Sequence, residues 1–150
     1  MEEYDSPKIV EPTRQPPTNT EIVEYHNAVI MQDKSYYKQY KINNPLAEEP
    51  HTIEDISIIF RTRADSEATQ VAAYIEREDS SPMMQIKRIS DANLAFSLVQ
   101  FGEVEYDKGT LDERLERINK FQAHKKGLLW DYLNEFDAHA EEIRELHKNF

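Results

Sequence analysis

The sequence predicts a mainly helical α+β fold, in which a C-terminal helical hairpin packs on a central buried helix with one or two short strands. An extended N-terminal arm is expected to precede this domain. Three observations lead to this prediction: a helix with start and stop signals at Ser90 to Phe101, a second helix start at Thr110, and a proline-rich first third. Because six of the seven prolines lie within the first fifty residues, we place the arm at 1–50 and the domain at 51–150.

The arm is predicted from its composition. Residues 1–20 contain only Ile9 and Val10 as aliphatic side chains, too few to offset a backbone ordering entropy of roughly 1–2 kcal/mol per residue. Residues 21–46 are richer in large side chains, and a short helix is predicted around 21–30. We therefore expect the arm to dock onto a partner, and the predicted partner-binding residues are Ile22, Tyr25, Tyr36, Tyr37, Tyr40 and Ile42.

A strand and a short helix are expected to open the domain. Residues 53–63 alternate, with Ile56, Ile58 and Phe60 on one face, which is typical of a half-buried strand. Asp65 or Ser66 can then cap a helix that runs to about residue 78. A turn at 79–82 follows, and residues 83–88 are predicted to be a short second strand or an extended lead-in.

The central helix is predicted from a serine N-cap at Ser90. Ile89 and Leu94 flank this cap at the spacing of a hydrophobic staple, and the apolar sector that follows is too wide for a surface helix. Gly102 lies where a left-handed C-cap residue is expected. The sequence therefore indicates a buried helix on which the other elements pack.

Two C-terminal helices complete the predicted fold. Thr110 and Glu113 form a T-x-x-E capping box that opens the first of them. The second is predicted at about 128–148, with a turn near Gly127 making the pair a hairpin. A continuous helix through Gly127 is the alternative, because glycine costs only about 1 kcal/mol there.

Composition and motifs argue against several classes of function. The absence of cysteine excludes disulfides and thiolate zinc sites, and a net charge of −11 disfavours nucleic acid as a partner. That charge also weighs against base stacking on the lysines and tyrosines between Lys34 and Lys41. No apolar run approaches a membrane span and the N-terminus lacks the features of a signal peptide, so we expect no membrane partner.

No catalytic or phosphate-binding motif is present, and we therefore expect neither an enzyme nor a cofactor or small-molecule substrate. Glu135, His139 and Glu142 have the spacing of metal ligands on one helix face, but a solvated acidic face is the preferred interpretation. Arg61, Arg63, Lys87 and Arg88 could form a small basic patch, although solvation and pairing with carboxylates is the default.

The pattern from Ile56 to Phe136 resembles small proteins of tailed bacteriophages, including tail assembly chaperones and baseplate-hub-type proteins. A central LxxSLV helix and an ERL helix followed by an aromatic helix recur in them. The matching residues here are Leu94, Ser97, Leu98, Val99, Glu113, Arg114, Leu115, Tyr132 and Phe136.

This resemblance implies a non-enzymatic virion protein that docks onto a multimeric protein partner through its arm. The expected location is the virion, or the host cytoplasm during assembly. One alternative is a tail or baseplate assembly chaperone or adaptor, absent from the finished particle. Another is an acidic inhibitor of a host nucleic-acid-binding protein, which the net charge favours mildly.

Overall fold

The computed structural model describes residues 15–43, 55–77 and 81–148, within which helices and a small sheet form one core. The helices are α1 (Asn19–Tyr25), α2 (Asp65–Glu76), α3 (Pro82–Ser97), α4 (Leu111–Ile118) and α5 (Ala123–His147). A π-helical segment, His26–Met31, directly follows α1. The strands are β1 (Tyr37–Asn43), β2 (Asp55–Arg61), β3 (Leu98–Phe101) and β4 (Val104–Glu105). The predicted fold class, α+β and mainly helical, is confirmed at this level.

The four strands form an antiparallel sheet in the order β1-β2-β3-β4. Tyr40 lies opposite Ile58 across the β1–β2 pair, so successive inward positions supply large apolar groups to one face. Gly102, with a φ of +60°, makes the tight turn between β3 and β4. The strand predicted at 53–63 is confirmed as β2 within the described residues.

The core lies between this sheet and the helices. Its completely buried large side chains come from β2, the end of α3, the start of β3, α4 and α5: Ile58, Phe60, Leu94, Leu98, Ile118, Leu129, Phe136 and Ile143. Both α4 and α5 pack on α3, as expected for a central helix.

Residues 15–43 do not form an extended arm, which corrects the predicted boundary at residue 50. Thr18 caps α1 through a reciprocal capping box with Glu21, and β1 hydrogen-bonds along its whole length to β2. The physical reason is that Tyr25, Tyr36 and Ile42 fill the same core as the domain. The part of the predicted arm at 1–14 lies outside the described residues, as do 44–50.

The central helix begins earlier and ends earlier than predicted. Ser81 is its N-cap, with Oγ accepting from the Met84 N–H at 3.3 Å, and Pro82 occupies the first turn. The strand or lead-in predicted at 83–88 is therefore wrong, and Ser90 lies inside the helix. The chain leaves helical geometry at Leu98, because β3 takes its backbone hydrogen bonds from β2.

The capping box at Thr110 and the helix predicted after Asp65 or Ser66 are confirmed, although Ala64 is the N-cap of that helix and Asp65 already lies inside it. The turn predicted at Gly127 is wrong. Helix α5 runs through Gly127, and the chain turns upstream of it, at 119–122. Neighbours of this glycine are held by tertiary contacts, since Lys126 pairs with Asp91 and Leu129 is buried. These contacts outweigh the cost of placing glycine inside a helix, which is about 1 kcal/mol.

Candidate interaction surfaces

The six predicted partner-binding residues are mostly internal. Tyr25, Tyr36 and Ile42 are buried, and Ile22 and Tyr40 pack partly buried against the core. Only Tyr37 projects into solvent, with 51% of its surface exposed against 2% for its neighbour Tyr36. The prediction that this set faces a partner is therefore corrected for Tyr25, Tyr36 and Ile42, because the same chain occupies their contact surfaces. It stays a prediction for Ile22, Tyr37 and Tyr40.

A polar network explains why Tyr36 can be buried. Its hydroxyl lies 2.9 Å from His139 Nε2 and 3.4 Å from a Glu21 carboxylate oxygen. Its ring stacks on Phe136 and meets Tyr25 edge-on. Because a buried hydroxyl needs a hydrogen-bond partner, this network fixes α1 and the start of β1 on α5.

Glu21 carries the charge in this network. Burial by itself raises the pKa of its carboxyl, but hydrogen bonds from Lys38 and from the Thr18 N–H, with the charges of Lys38 and His139, lower it to about 2. Lys38 Nζ lies 2.5 Å from the carboxylate. Burial raises the pKa of Tyr36, and the negative charge of Glu21 adds to that effect.

His139 does not belong to a solvated acidic face, which corrects the preferred interpretation of the Glu135, His139 and Glu142 pattern. The imidazole is buried and faces α1 and the start of β1 instead. Within the described residues, no group of three or more histidine, aspartate or glutamate side chains is arranged to hold a metal ion. Of the three residues at this spacing, His139 packs in the protein interior.

Three of the four residues considered for a basic patch, Arg61, Arg63 and Lys87, pair with carboxylates, in line with the default interpretation. Arg61 is buried, and its guanidinium binds both carboxylate oxygens of Glu67, at 2.6 and 2.7 Å. It also lies 3.2 Å from Asp107, which Arg114 contacts at 2.6 Å. This cluster joins β2, α2, α4 and the loop before α4, and the hydrogen bonds to Glu67 are the main cause of the raised pKa of Arg61.

A groove of about 920 Å³ opens between the π-helical segment, α2 and α5. Two of its charged lining residues pair with each other, since Arg63 contacts Asp137 at 3.0 Å, and Arg63 also donates to Ser97 Oγ. Its hydroxyls hold the backbone: Ser35 Oγ donates to the Thr62 carbonyl, and Thr62 Oγ1 accepts from the Tyr36 N–H. These polar groups of the groove are thus engaged within the fold, whereas Asp33, Lys34 and Asp65 also line it.

The first half of α3 presents an apolar surface to solvent. We define the α3 surface as Met83, Met84, Ile86 and Ile89, all exposed, with Met83 reaching 80%. Met83, Ile86 and Ile89 follow one another at i, i+3 and i+6, which places them on a single ridge of the helix. A helix with such side chains in water is typical of a protein-binding site.

A second apolar surface lies on α1 and the π-helical segment. We define the N-terminal surface as Val23, Ile30 and Met31, which are exposed by 57%, 47% and 67%. A π-helix is rare and frequently marks a functional site. Asp33, with a φ of +53°, turns the chain sharply after this segment, so the surface ends abruptly.

No family model, curated protein or solved structure matches this chain. No helix within the described ranges has the length and apolar character needed to cross a membrane.

Sequence reasoning missed the α3 surface because it treated 83–88 as extended and therefore did not test it for helical ridges. The serine before Pro82 is the signal that identifies the helix start. The polar networks at Tyr36 and Arg61 carry no such signal, because their members lie far apart in the chain.

Proposed function

We propose that this chain is a non-enzymatic structural protein of a tailed-bacteriophage particle, which docks into a large multi-copy protein assembly. It works without a cofactor, metal or small-molecule substrate, and its partners are proteins rather than nucleic acid or membrane. It resides in the virion, and in the host cytoplasm during assembly. Docking uses the α3 surface and Tyr37, because the other predicted anchors serve the core of the same chain.

The α3 surface is the observation that carries this proposal. Four large apolar side chains lie within eight residues of one helix, and each is exposed to solvent. Such clustering costs solubility unless a partner covers it, whereas exposed apolar residues scattered singly need no explanation. The resemblance to tail and baseplate proteins supports the identity of the assembly.

The test is quantitative mass spectrometry of purified particles that were assembled in the presence of a tagged copy of the chain. We expect the chain at a fixed, stoichiometric copy number in finished particles. Presence in assembly intermediates but absence from the finished particle would instead indicate an assembly chaperone. Absence from both would overturn the proposal.

A matched pair of variants tests the role of the α3 surface. The double variant Met83→Gln, Ile86→Gln should reduce incorporation on the order of tenfold or more, because it removes apolar area from the docking surface. Val104→Gln, an exposed position on β4, should incorporate like the wild type. Equal incorporation of the two variants would show that docking uses a different surface.

A further inference from the structure

The two apolar surfaces have opposite charge surroundings. Residues 81–90, which contain the α3 surface, include Lys87 and Arg88 and no acidic residue. Residues 19–31, which contain the N-terminal surface, include Glu21 and Glu24 and neither lysine nor arginine. Each of these two stretches therefore carries charged side chains of one sign only, basic at the α3 surface and acidic at the N-terminal surface.

Lys87, one of the two cations at the α3 surface, shares its carboxylate partner with a second lysine. Lys87 Nζ lies 3.2 Å from one oxygen of the buried Asp91, while Lys126 lies 2.9 Å from the other. Two lysines thus share one carboxylate, and the Lys87 side chain keeps about half of its surface in solvent. At the other surface, Glu21 is paired with Lys38, whereas the exposed Glu24 adds a negative charge beside Val23.

Seven of the ten large exposed apolar side chains that the structure describes belong to these two surfaces. We infer that the α3 surface of one copy binds the N-terminal surface of a second copy. This inference rests on the proposed role in a multi-copy assembly, and it specifies the contact by which neighbouring copies associate. Opposite charges around the two apolar surfaces make this pairing complementary, whereas α3 against α3 would bring like charges together.

The contact is heterologous, because each copy uses two different surfaces. A heterologous interface repeats from copy to copy and gives either a closed ring or an open filament. Each copy in the interior of such an assembly has both surfaces covered. The proposed contact therefore explains in one step why two separate apolar surfaces remain exposed on an isolated chain.

The experiment is sedimentation velocity of the full chain and of two double variants over a range of concentrations. One variant, Met83→Gln with Ile86→Gln, disables the α3 surface; the other, Val23→Gln with Met31→Gln, disables the N-terminal surface. Glutamine suits a helix, and all four positions are exposed, so both variants should fold. Their far-ultraviolet circular dichroism should match that of the wild type.

We expect wild-type oligomers that grow with concentration and self-association weakened on the order of tenfold or more in each variant. An equimolar mixture of the two variants should form a one-to-one dimer and nothing larger, because only one intact pair of surfaces remains. High salt should weaken the contact by screening its charges. A wild type that stays monomeric, a mixture that stays monomeric, or a variant that oligomerises as well as the wild type would each overturn the inference.

Failure of this inference can be told apart from failure of the proposed function. A chain that is monomeric in solution but stoichiometric in purified particles retains the structural role and loses only the contact between copies. If the chain self-associates as expected but is absent from particles and intermediates, the contact between copies is supported and the proposed role in the particle is overturned.

Discussion

The N-terminal segment from Asn19 to Asn43 and the first half of α3, from Pro82 to Ser90, are both rich in large apolar side chains, but only the N-terminal segment places some of them in the core. In the N-terminal segment, Tyr25, Tyr36 and Ile42 are buried in the core. In the first half of α3, by contrast, all four large apolar side chains are exposed. The difference shows that apolar content alone does not decide which segment a fold buries.

Backbone hydrogen bonding and buried polar contacts decide which segment is buried. Residues 37–43 are hydrogen-bonded to β2 as an outer strand, which brings their inward side chains onto the helices. The Tyr36 hydroxyl adds a buried link to His139 across more than a hundred residues of chain. The first half of α3 satisfies its own backbone, so nothing in its local structure requires a neighbour. A strand must find a partner, whereas a helix end can project into water.

The largest effect on stability is expected at two adjacent tyrosines. Tyr36→Ala should lower the free energy of unfolding by about 4 kcal/mol, because a buried ring between Tyr25 and Phe136 leaves a cavity. Tyr37→Ala is the matched control and should cost about 0.5 kcal/mol or less, since that side chain is half exposed. Urea denaturation of both variants checks this, and equal losses would contradict the burial difference.

The two halves of α3 provide the next test. Leu94→Ala should cost about 3 kcal/mol, because Leu94 is completely buried. Met83→Ala in the same helix should change the stability by about 0.5 kcal/mol or less, measured below the concentration at which copies associate. A large loss at Met83 in the monomer would show that the first half of α3 is covered by its own chain.

A smaller effect is expected where the two halves of α3 join. Asp91→Asn should cost about 2 kcal/mol, because it removes the negative charge from the buried contact with Lys126. Lys126 keeps Asn119 as a partner at 2.6 Å, which limits the loss. The control is Lys87→Ala on the exposed side of Asp91, for which we expect about 0.5 kcal/mol. Thermal unfolding of both proteins at neutral pH measures the difference, and a larger loss at Lys87 would reverse the assignment.

The smallest effect concerns how pH affects the anchoring of the N-terminal segment. Since the pKa of Glu21 falls from 4.5 to about 2 on folding, its charged form stabilises the native state above pH 4.5. This contribution is lost as the pH falls from 4.5 towards 2. Glu21→Gln should therefore be less stable than the wild type at neutral pH, by about 1 kcal/mol after allowance for solvent screening.

The difference between the wild type and Glu21→Gln should shrink as the pH falls below 4.5. Denaturation at a series of pH values, with the exposed Glu24→Gln as control, measures this change. A difference independent of pH would show that the Glu21 carboxylate is not held by Lys38 and His139 in the folded state.

Local signals were sufficient for the elements that such signals control. The alternation from Ile56 to Phe60 predicted β2, and the T-x-x-E box at Thr110 predicted the start of α4, because both depend on side chains a few residues apart. The same box at Thr18 and Glu21 marks the start of α1 and was available in the sequence. The corresponding signal for α3 was a serine before Pro82.

Composition and short-range spacing were sufficient to predict the fold class, the strand β2, the helices α2 and α4, and the absence of cysteine chemistry. That 15–43 joins the core, that α5 passes through Gly127, and that the first half of α3 is exposed follows from the packing of the elements on one another. Each of these outcomes depends on contacts between distant residues, such as Tyr36 with His139 or Asp91 with Lys126. Burial results from which elements meet, and no short stretch of chain contains that information.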